Sequence, residues 1–399
     1  MGDNEQAIIR VVDSLKGVDF RAWDACANPP GEPANPFISH AFLSALEESG
    51  SATRRTGWSP HHLLLEDDAG GLAGAMPLYL KTHRRGEYVF DQGWASAFEN
   101  AGGRYYPKLQ GSVPFTPATG KRLLTPLGPG RGSAEDALAA GAVELATRLG
   151  VSSLHLTFLP QRQWSRLGQL GFLQRTDQQF HWHNRGYGSF DDFLSDLSSR
   201  KRKMIRKERA RAMDNGIGVE WVTGSDITED HWDAFFTFYM DTGARKWGAP
   251  YLSREFFSLI GERMSGQTLL VMARREGRLI AGALNFIGGD ALYGRNWGAV
   301  EHHPFLHFEC CYYQAIEFAI ARGLERVEAG AQGEHKLARG YLPARTHSAH
   351  WIANPSFREA VAEYLSRERQ YVDRDIAALG EYAPFRHDVG SDEHREDDF

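Results

Sequence analysis

The sequence predicts an α/β protein in which one fold occurs twice along the chain. Three stretches of the first half recur in the second: LAGAMPLYL from Leu72 with IAGALNFIG from Ile280, Trp94 with Trp297, and ELATRLGVSSLHL from Glu144 with EFAIARGLERVEA from Glu317. Strand and helix patterns that recur in the same order along the chain are typical of a duplicated unit. The separation falls from 203 residues at the tryptophans to 173 at the later helix, which predicts about thirty extra residues in the first copy.

The composition fits a two-domain protein with no general affinity for membranes or nucleic acids. With 399 residues, 42% of them hydrophobic, the chain can bury a large core and exceeds the usual size of one domain. Its net charge of −6 argues against a surface that coats nucleic acid or anionic lipid as a whole. No apolar run is long enough to span a bilayer, and the acidic residues near Met1 do not fit a signal peptide. We therefore expect a cytoplasmic protein.

The first half is predicted to consist of an N-terminal extension, residues 1–34, and a first domain, residues 35–185. Its predicted elements are a helix at 39–48 capped by Ser39, a β-hairpin within 61–83, a third strand at 87–90, a helix at 134–149 and a strand at 153–158. The extra residues form an insertion at 94–124 that is rich in glycine, proline and aromatic residues. A loop of this length is usually functional or disordered, and its aromatic content argues against disorder.

The second domain is predicted to span residues 186–385. Its predicted elements are a basic helix at 198–212, helices at 232–240 and 253–264, antiparallel strands at 269–274, 279–287 and 292–297, a helix at 308–322, a strand at 326–329 and a closing helix at 356–379. Residues 386–399 are an acidic tail that we expect to be disordered. The basic helix has two interpretations: a solvated face, or an anchor for the phosphates of a nucleotide or of RNA.

The stretch from Arg295 to Trp351 carries most of the groups that could bind or transfer something. It contains a strand, a helix and a further strand, and the crevice at the strand ends of such a unit is where ligands usually bind. Before the helix, His303 could act as a base with Glu301 as its orienting partner. His307 opens the helix, whose N-terminus lowers the pKa of a histidine. The alternative is that these histidines only pack and cap the loop.

After the next strand, the loop GAQGEHKLARG offers a second candidate set. His335 and Glu334 could handle protons, while Lys336 and Arg339 could hold a phosphate or carboxylate of the donor. The alternative is an ordinary surface loop of mixed charge. Further candidates for donor or substrate binding are Arg295, Trp297, Gln332, Arg345 and His347, and in the first domain Tyr106 and Lys108, whose alternative role is in an aromatic lid packed on the sheet.

A metal site is not predicted. His303 and His307 have the four-residue spacing of two ligands on one helix face, but Pro304 lies between them and no HExxH pattern or cysteine pair accompanies them. The three cysteines form neither a disulfide framework nor a zinc motif. We expect no tightly bound cofactor either.

Several phrases resemble the FemAB-like branch of the GNAT acyltransferase superfamily, and in particular its bacterial family of peptidoglycan biosynthesis or recognition proteins. They are NPFISHAFLSALEESG, GRYYPKLQGSVPFTPATGKRLL, FHWHNRGYGSFDDFLSDLSSRKRKMIRKER, EHHPFLHFECCYYQAIEFAIARG and EAGAQGEHKLARGYLPARTHSAHWI. The resemblance extends from Asn35 to Leu379. It implies two tandem GNAT-like domains, each a mostly antiparallel sheet flanked by helices, with a ligand channel between them.

The resemblance also implies transfer of an acyl or aminoacyl group onto an amine, either a small-molecule amine or a cell-wall precursor. The donor could be acyl-CoA, aminoacyl-tRNA or an acyl carrier protein, the last two through the basic helix 198–212. The chain departs from typical GNAT enzymes, which have a glycine-rich turn that cradles the CoA pyrophosphate. It has VEHHPFLHFE there, with no glycine after Gly298. The alternative function is a non-catalytic recognition protein for a cell-wall precursor or modified amine.

Overall fold

The computed structural model describes residues 8–246, 250–330 and 333–386. The elements of the first half are β1 (Ile8–Val12), α1 (Phe20–Ala27), α2 (His40–Glu48), β2 (Trp58–Pro60), β3 (His62–Glu66), β4 (Leu72–Met76), β5 (Tyr79–Lys81), α3 (Gln92–Asn100), β6 (Lys108–Gly111), α4 (Arg131–Leu149), β7 (Ser153–Leu156), α5 (Gln161–Gln169) and β8 (Leu173–His183).

The elements of the second half are α6 (Phe190–Asp196), α7 (Ser199–Ala212), β9 (Ile217–Thr223), α8 (Glu229–Lys246), α9 (Arg254–Met264), β10 (Thr268–Arg275), β11 (Arg278–Ile287), β12 (Ala291–Ala299), α10 (Leu306–Phe308), α11 (Gln314–Ala321), β13 (Arg326–Glu328), β14 (Leu342–Ile352) and α12 (Pro355–Glu381). The acidic residues 387–399 lie outside the described part of the chain.

Most strands belong to one large mixed sheet. In the described part of the chain, eleven strands follow the order β2-β5-β6-β7-β14-β8-β13-β12-β11-β10-β9, and β1, β3 and β4 form a separate sheet. Two neighbouring pairs of the large sheet are parallel, β6 with β7 and β12 with β13, and the remaining pairs are antiparallel. The predicted α/β class, with mostly antiparallel strands flanked by helices, is confirmed.

The two halves exchange their last strands. β14 lies between β7 and β8, and β8 lies between β14 and β13, so each half is completed by a strand of the other. β8 and β14 pair from Leu173 with His350 to His181 with Leu342, and Asp177 faces Thr346 midway. One continuous sheet therefore connects residues 35–185 with residues 186–385. Neither exchanged strand is among the elements predicted from the sequence.

Three predictions for the first half are corrected. Residues 87–90 do not form a strand, because Glu87 turns inward to bind the Lys108 ammonium group. Trp94 lies on the helix α3 and Trp297 on the strand β12, so the predicted correspondence between them is wrong. The counterpart of β12 is β6, since each runs parallel to the strand that follows the next long helix. The predicted insertion, 94–124, therefore includes one strand of the large sheet.

Local sequence explains where several helices begin and end. The side chains of Ser39 and Ser189 accept hydrogen bonds from the first turns of α2 and α6, as N-cap residues do. Gly150 follows α4, and Gly323 lies just beyond the end of α11. Both have positive φ values, 62° and 65°. Glycine adopts this conformation at little cost, so both positions suit the end of a helix.

The strands next to the candidate site carry apolar residues on both faces. On β10, Leu270 and Met272 belong to a core that includes residues of α8 and α9, whereas Leu269 and Val271 belong to a core that includes residues of α6 and α11. On β12, a side chain at Gly298 would overlap the main chain of Phe238. This glycine lets α8 approach the strand closely and places α8 beside the end of β12.

Candidate active site

The neighbouring parallel strands β12 and β13 diverge next to the predicted site. They pair in parallel only from Ala291 with Arg326 to Tyr293 with Glu328. Beyond this point β12 continues to Ala299 along β11, after a shift in register. The divergence opens the sheet near the carboxyl ends of two parallel strands, where ligands commonly bind.

A cavity of about 460 Å³ lies at the end of β12, within the size range of small-molecule sites. Its wall comes from β12, the loop that follows, the start of the next helix and α8. The lining residues are Thr242, Arg245, Trp297, Ala299, Glu301, His302, His303, Phe305, Leu306, His307 and Phe308. Four residues predicted for the site, Trp297, Glu301, His303 and His307, thus lie around one cavity.

Glu301 connects His303 to Arg275. Its Oε2 atom lies 2.8 Å from His303 Nε2 and 2.9 Å from Arg275 Nε. The hydrogen bonds from Arg275 and then His303 lower the pKa of Glu301 to about 2, so this group is a carboxylate at neutral pH. Because a carboxylate only accepts hydrogen bonds, His303 Nε2 carries a hydrogen. In the neutral ring, Nδ1 is then the atom that can accept a proton.

The cavity is backed by aromatic rings from an irregular helix. The ring of His307 lies 5.4 Å from Trp297 and 5.4 Å from Tyr312, edge to face in both cases. The helix predicted at 308–322 is not regular, because a π-helical segment, Glu309–Tyr313, separates α10 from α11. Such segments are frequent at functional sites.

His335 contacts the cavity wall but does not line the cavity. Its Nε2 atom lies 2.9 Å from the hydroxyl oxygen of Tyr312, and its ring stacks on Phe308 with the centroids 5.6 Å apart. Burial, followed by the charges of Arg339 and Lys336, lowers the pKa of His335. The neutral, proton-accepting form of this ring is therefore favoured near pH 7.

Lys336 and Arg339 are buried and bind other parts of the protein. Lys336 Nζ lies 3.0 Å from the carbonyl oxygen of Gly330, and burial lowers the pKa of this lysine to about 8. A terminal guanidinium nitrogen of Arg339 donates to both carboxylate oxygens of Glu208, at 2.8 and 2.9 Å. The guanidinium also lies 3.6 Å from the ring centroid of Phe308. The guanidinium predicted to hold a donor anion is thus paired with a carboxylate of α7.

Arg295 faces the first half of the chain rather than the cavity. Its guanidinium donates a hydrogen bond to the carbonyl oxygen of Phe115 and lies 5.7 Å from the ring centroid of Phe37. Burial lowers the pKa of Arg295. The Arg295 side chain therefore joins the two halves. Trp297, two residues further on, packs against the core that includes residues of α6 and α11.

The two candidates of the first domain, Tyr106 and Lys108, belong to a buried charge cluster. Lys108 Nζ lies 2.7 Å from Glu87 Oε2 and also contacts Asp91, which accepts a 2.6 Å hydrogen bond from the Tyr105 hydroxyl. Burial disfavours the charge of Lys108, but Asp91 and Glu87 hold its pKa well above the usual value. The ring centroid of Tyr106 lies 5.4 Å from the same ammonium. This geometry fits packing on the sheet.

Arg345 and His347 lie on β14 and not in a loop. Arg345 pairs with Asp373 of α12 at 2.6 Å, and the ring of His347 lies 4.8 Å from Trp164. Burial, followed by the charge of Arg345, lowers the pKa of His347. Neither residue lines the cavity at the end of β12. Two further predicted residues, Gln332 and the side chain of Glu334, fall outside the described residues.

Sequence reasoning missed the partners that come from distant elements. Arg275 ends β10, and Thr242 and Arg245 lie on α8, with an Arg245 terminal nitrogen 2.7 Å from the carbonyl oxygen of Ala299. No local motif marks these residues. Tyr312 is buried in the core that includes residues of α6 and α11, and only the structure shows its hydroxyl beside His335.

The described residues contain neither a metal-binding cluster nor a membrane-spanning helix. Within these residues no group of three or more His, Cys, Asp and Glu side chains is placed to hold a metal ion. Among the helices of the described ranges, none combines the length and the apolar character needed to cross a membrane.

The fold is a helix-flanked, mostly antiparallel α/β sheet whose pattern is repeated in two halves and which opens between parallel strands. The crystal structure of FemX is similar over 89% of this chain and 100% of its own, with 12% identity and a TM-score of 0.53. A conserved protein of unknown function from Bacteroides thetaiotaomicron is similar over 87% and 100%, with 9% identity and a TM-score of 0.51. The C-terminal domain of a putative lysylphosphatidylglycerol synthetase from Agrobacterium fabrum is similar over 81% and 97%, with 11% identity and a TM-score of 0.50.

The protein belongs to the FemAB-like family, whose model matches residues 14–387 and is described as peptidoglycan biosynthesis/recognition. Among curated proteins, none matches this sequence. At such low identity, the similarity to the solved structures establishes only the fold. The family is established by the family model, which covers nearly the whole chain. The predicted resemblance to this family is confirmed.

Proposed function

We propose that the protein is an N-acyltransferase that moves an acyl or aminoacyl group from an activated donor to an amine. The observation that carries this proposal is the pairing of Glu301 with His303 on the wall of the cavity at the end of β12. Membership of a family described by peptidoglycan biosynthesis or recognition supports a cell-wall precursor, or a small amine related to one, as the acceptor.

In the proposed reaction, His303 acts as the general base. The amine nitrogen attacks the donor carbonyl and forms the new C–N bond, the C–S or C–O bond of the donor breaks, and the leaving sulfur or ribose oxygen takes up the proton that His303 has received from the amine. The proton lost by the amine passes to His303 Nδ1, because Nε2 donates to Glu301. The carboxylate of Glu301 then stabilises the imidazolium ring that forms.

The oxyanion that develops on the donor carbonyl needs hydrogen-bond donors. The cavity wall offers the guanidinium of Arg245 and the hydroxyl of Thr242, both from α8. Their position depends on the close approach of α8 to β12 at Gly298. We assign these two side chains to stabilisation of the oxyanion.

His335 is the second candidate for proton transfer. Its lowered pKa favours a neutral ring, its Nε2 atom lies 2.9 Å from the Tyr312 hydroxyl oxygen, and the Tyr312 ring packs against His307 of the cavity wall. Tyr312 could carry a proton from the cavity to His335 Nε2. A role for His335 therefore predicts that removal of the Tyr312 hydroxyl has the same effect as removal of the imidazole.

The donor is proposed to be acyl-CoA or an aminoacyl group on a carrier such as tRNA or an acyl carrier protein. The exposed lysine and arginine residues of α7 support an anionic carrier. A specific observation favours the alternative function, recognition without catalysis: Arg295 and Arg339, two of the predicted donor-binding groups, are engaged within the protein. Binding of a cell-wall precursor in the same cavity would not need a donor site.

The first experiment is native mass spectrometry of the protein with CoA thioesters or aminoacyl-tRNA, followed by turnover of the retained donor with amine acceptors. His303→Gln should lower kcat by about 100-fold or more while the donor is still retained, because a general base contributes at least this much. His302→Gln is the matched control, since His302 lines the same cavity. Retention of a cell-wall precursor without turnover of any donor would instead establish the recognition function.

A further inference from the structure

One face of α7 carries positive charge that has no counter-ion among the described residues. Arg200, Lys203 and Lys207 are exposed and recur at spacings of three and four, so they lie on the same side of the helix. Within residues 8–246, 250–330 and 333–386, none of the three has an ion pair; the opposite side contains the buried Ile205 and Glu208. Like charges at such spacings destabilise a helix, so this face favours an anionic partner.

The chain returns to the beginning of this helix before the acidic segment starts. Ser198 N donates to the carbonyl oxygen of Pro384 at 2.9 Å, and Leu197 forms an isolated β-bridge with Phe385. Arg386 N donates to the carbonyl oxygen of Asp196 at 3.0 Å. Residue 387 therefore follows directly from a point beside the N-terminus of α7, which is the positive end of the helix dipole.

The sequence that follows this point has the opposite charge. Residues 387–399, HDVGSDEHREDDF, contain six acidic residues and one arginine. Thirteen residues can extend over about 45 Å at most, whereas the fourteen residues of α7 span about 21 Å. The acidic segment is long enough to follow the whole basic face from its starting point.

We propose that residues 387–399 dock on the face of α7 formed by Arg200, Lys203 and Lys207 and shield it from other polyanions. Each exposed ion pair contributes little by itself. Because the segment is tethered beside the helix, its effective concentration is high, so several weak pairs suffice. The docked segment competes with any anionic macromolecule that uses α7. Docking requires no particular reaction at the cavity, so it holds or fails independently of the transferase activity.

Zero-length carbodiimide crosslinking of the full chain at low salt tests the contact directly. We expect amide links between Lys203 or Lys207 and acidic residues within 388–398, and their loss at high salt. The ion pair of Lys121 with Glu32, 2.6 Å apart, is the internal positive control. Formation of the Lys121–Glu32 link without any link from α7 to the acidic segment would overturn the proposal.

Binding of inorganic polyphosphate tests the shielding. A chain that ends after Arg386, and a full-length variant with the six acidic residues of 387–399 changed to amides, should each bind polyphosphate about tenfold more tightly at low salt. The gain should vanish at high salt. It should also vanish when Arg200, Lys203 and Lys207 are changed to glutamine. Equal affinities of the full and shortened chains at low salt would contradict shielding, whether or not the protein is a transferase.

Discussion

The imidazole rings of His155 and His350 meet between β7 and β14, with their Nδ1 atoms 2.7 Å apart. At the matching place in the other half, β13 and β8 bring Glu328 opposite His181, with Oε2 and Nε2 3.9 Å apart. Each exchanged strand thus forms one buried pair of titratable side chains with the half that it completes. The exchange of strands should make the stability of the fold sensitive to acid.

The histidine pair predicts loss of stability below about pH 6.5. Burial, the main cause, holds the pKa of both His155 and His350 well below 6.5, so the unfolded chain takes up protons in acid that the folded chain excludes. Stability is therefore complete above pH 6.5 and falls below it. His350→Gln should show a smaller fall in Tm between about pH 6.5 and pH 5 by circular dichroism. His231→Gln, at the start of α8, should keep the wild-type dependence of Tm on pH. Parallel curves of Tm against pH for all three proteins would show that the acid sensitivity does not come from the pair of His155 and His350.

Glu301→Gln should impair catalysis more than binding. The amide no longer carries the charge that stabilises the His303 imidazolium, so kcat should fall by about 10- to 100-fold with little change in KM. Steady-state kinetics with the retained donor measures both effects. The control is Glu276→Gln, because Glu276 also contacts Arg275, at 3.2 Å, but does not line the cavity. Similar kinetics for the two variants would contradict a specific role of Glu301.

Breaking the ion pair of Glu208 with Arg339 should strongly destabilise the protein. Their side chains are only 9% and 7% exposed, so Arg339→Met leaves a buried carboxylate without its partner and should cost about 3–5 kcal/mol in the free energy of unfolding. Urea unfolding measures this loss, and adding Glu208→Gln should restore part of it. Arg345→Met, which breaks a pair that is about half exposed, should cost less than about 1 kcal/mol. Equal losses for Arg339→Met and Arg345→Met would show that burial of the first pair is unimportant.

Gly298→Ala should displace α8 and disturb the cavity. The added methyl group would overlap the main chain of Phe238, and such overpacking typically costs about 1–3 kcal/mol. Gly294→Ala is the matched control on the same strand, because its methyl group would meet its nearest neighbour at an ordinary 3.5 Å. Unfolding in urea and retention of the donor should both be affected in the first variant only. A Gly298→Ala protein with wild-type stability would mean that α8 does not depend on this contact.

Local patterns in the sequence were sufficient for most helices and for the strands around the cavity. Helical spacing and the cap at Ser39 are properties of neighbouring residues, and the structure reproduces them. The grouping of Glu301, His303 and His307 could be predicted for the same reason, because one loop and one helix start bring them together. The interruption of that helix by a π-helical segment could not be predicted, since its apolar spacing also fits a regular helix.

The tertiary structure alone decided the two exchanged strands and most partners of the candidate residues. β8 and β14 are rich in polar residues and lack the apolar alternation that marks a strand, because much of what they bury is polar. Gln179 donates to the carbonyl oxygen of Pro117 at 2.8 Å, and His350 meets a ring that lies far away in the sequence. A buried polar strand is stable only when such distant partners satisfy it. The sequence by itself determined local conformation and the candidate groups, whereas the distant pairings determined which groups face the cavity and which are held inside the fold.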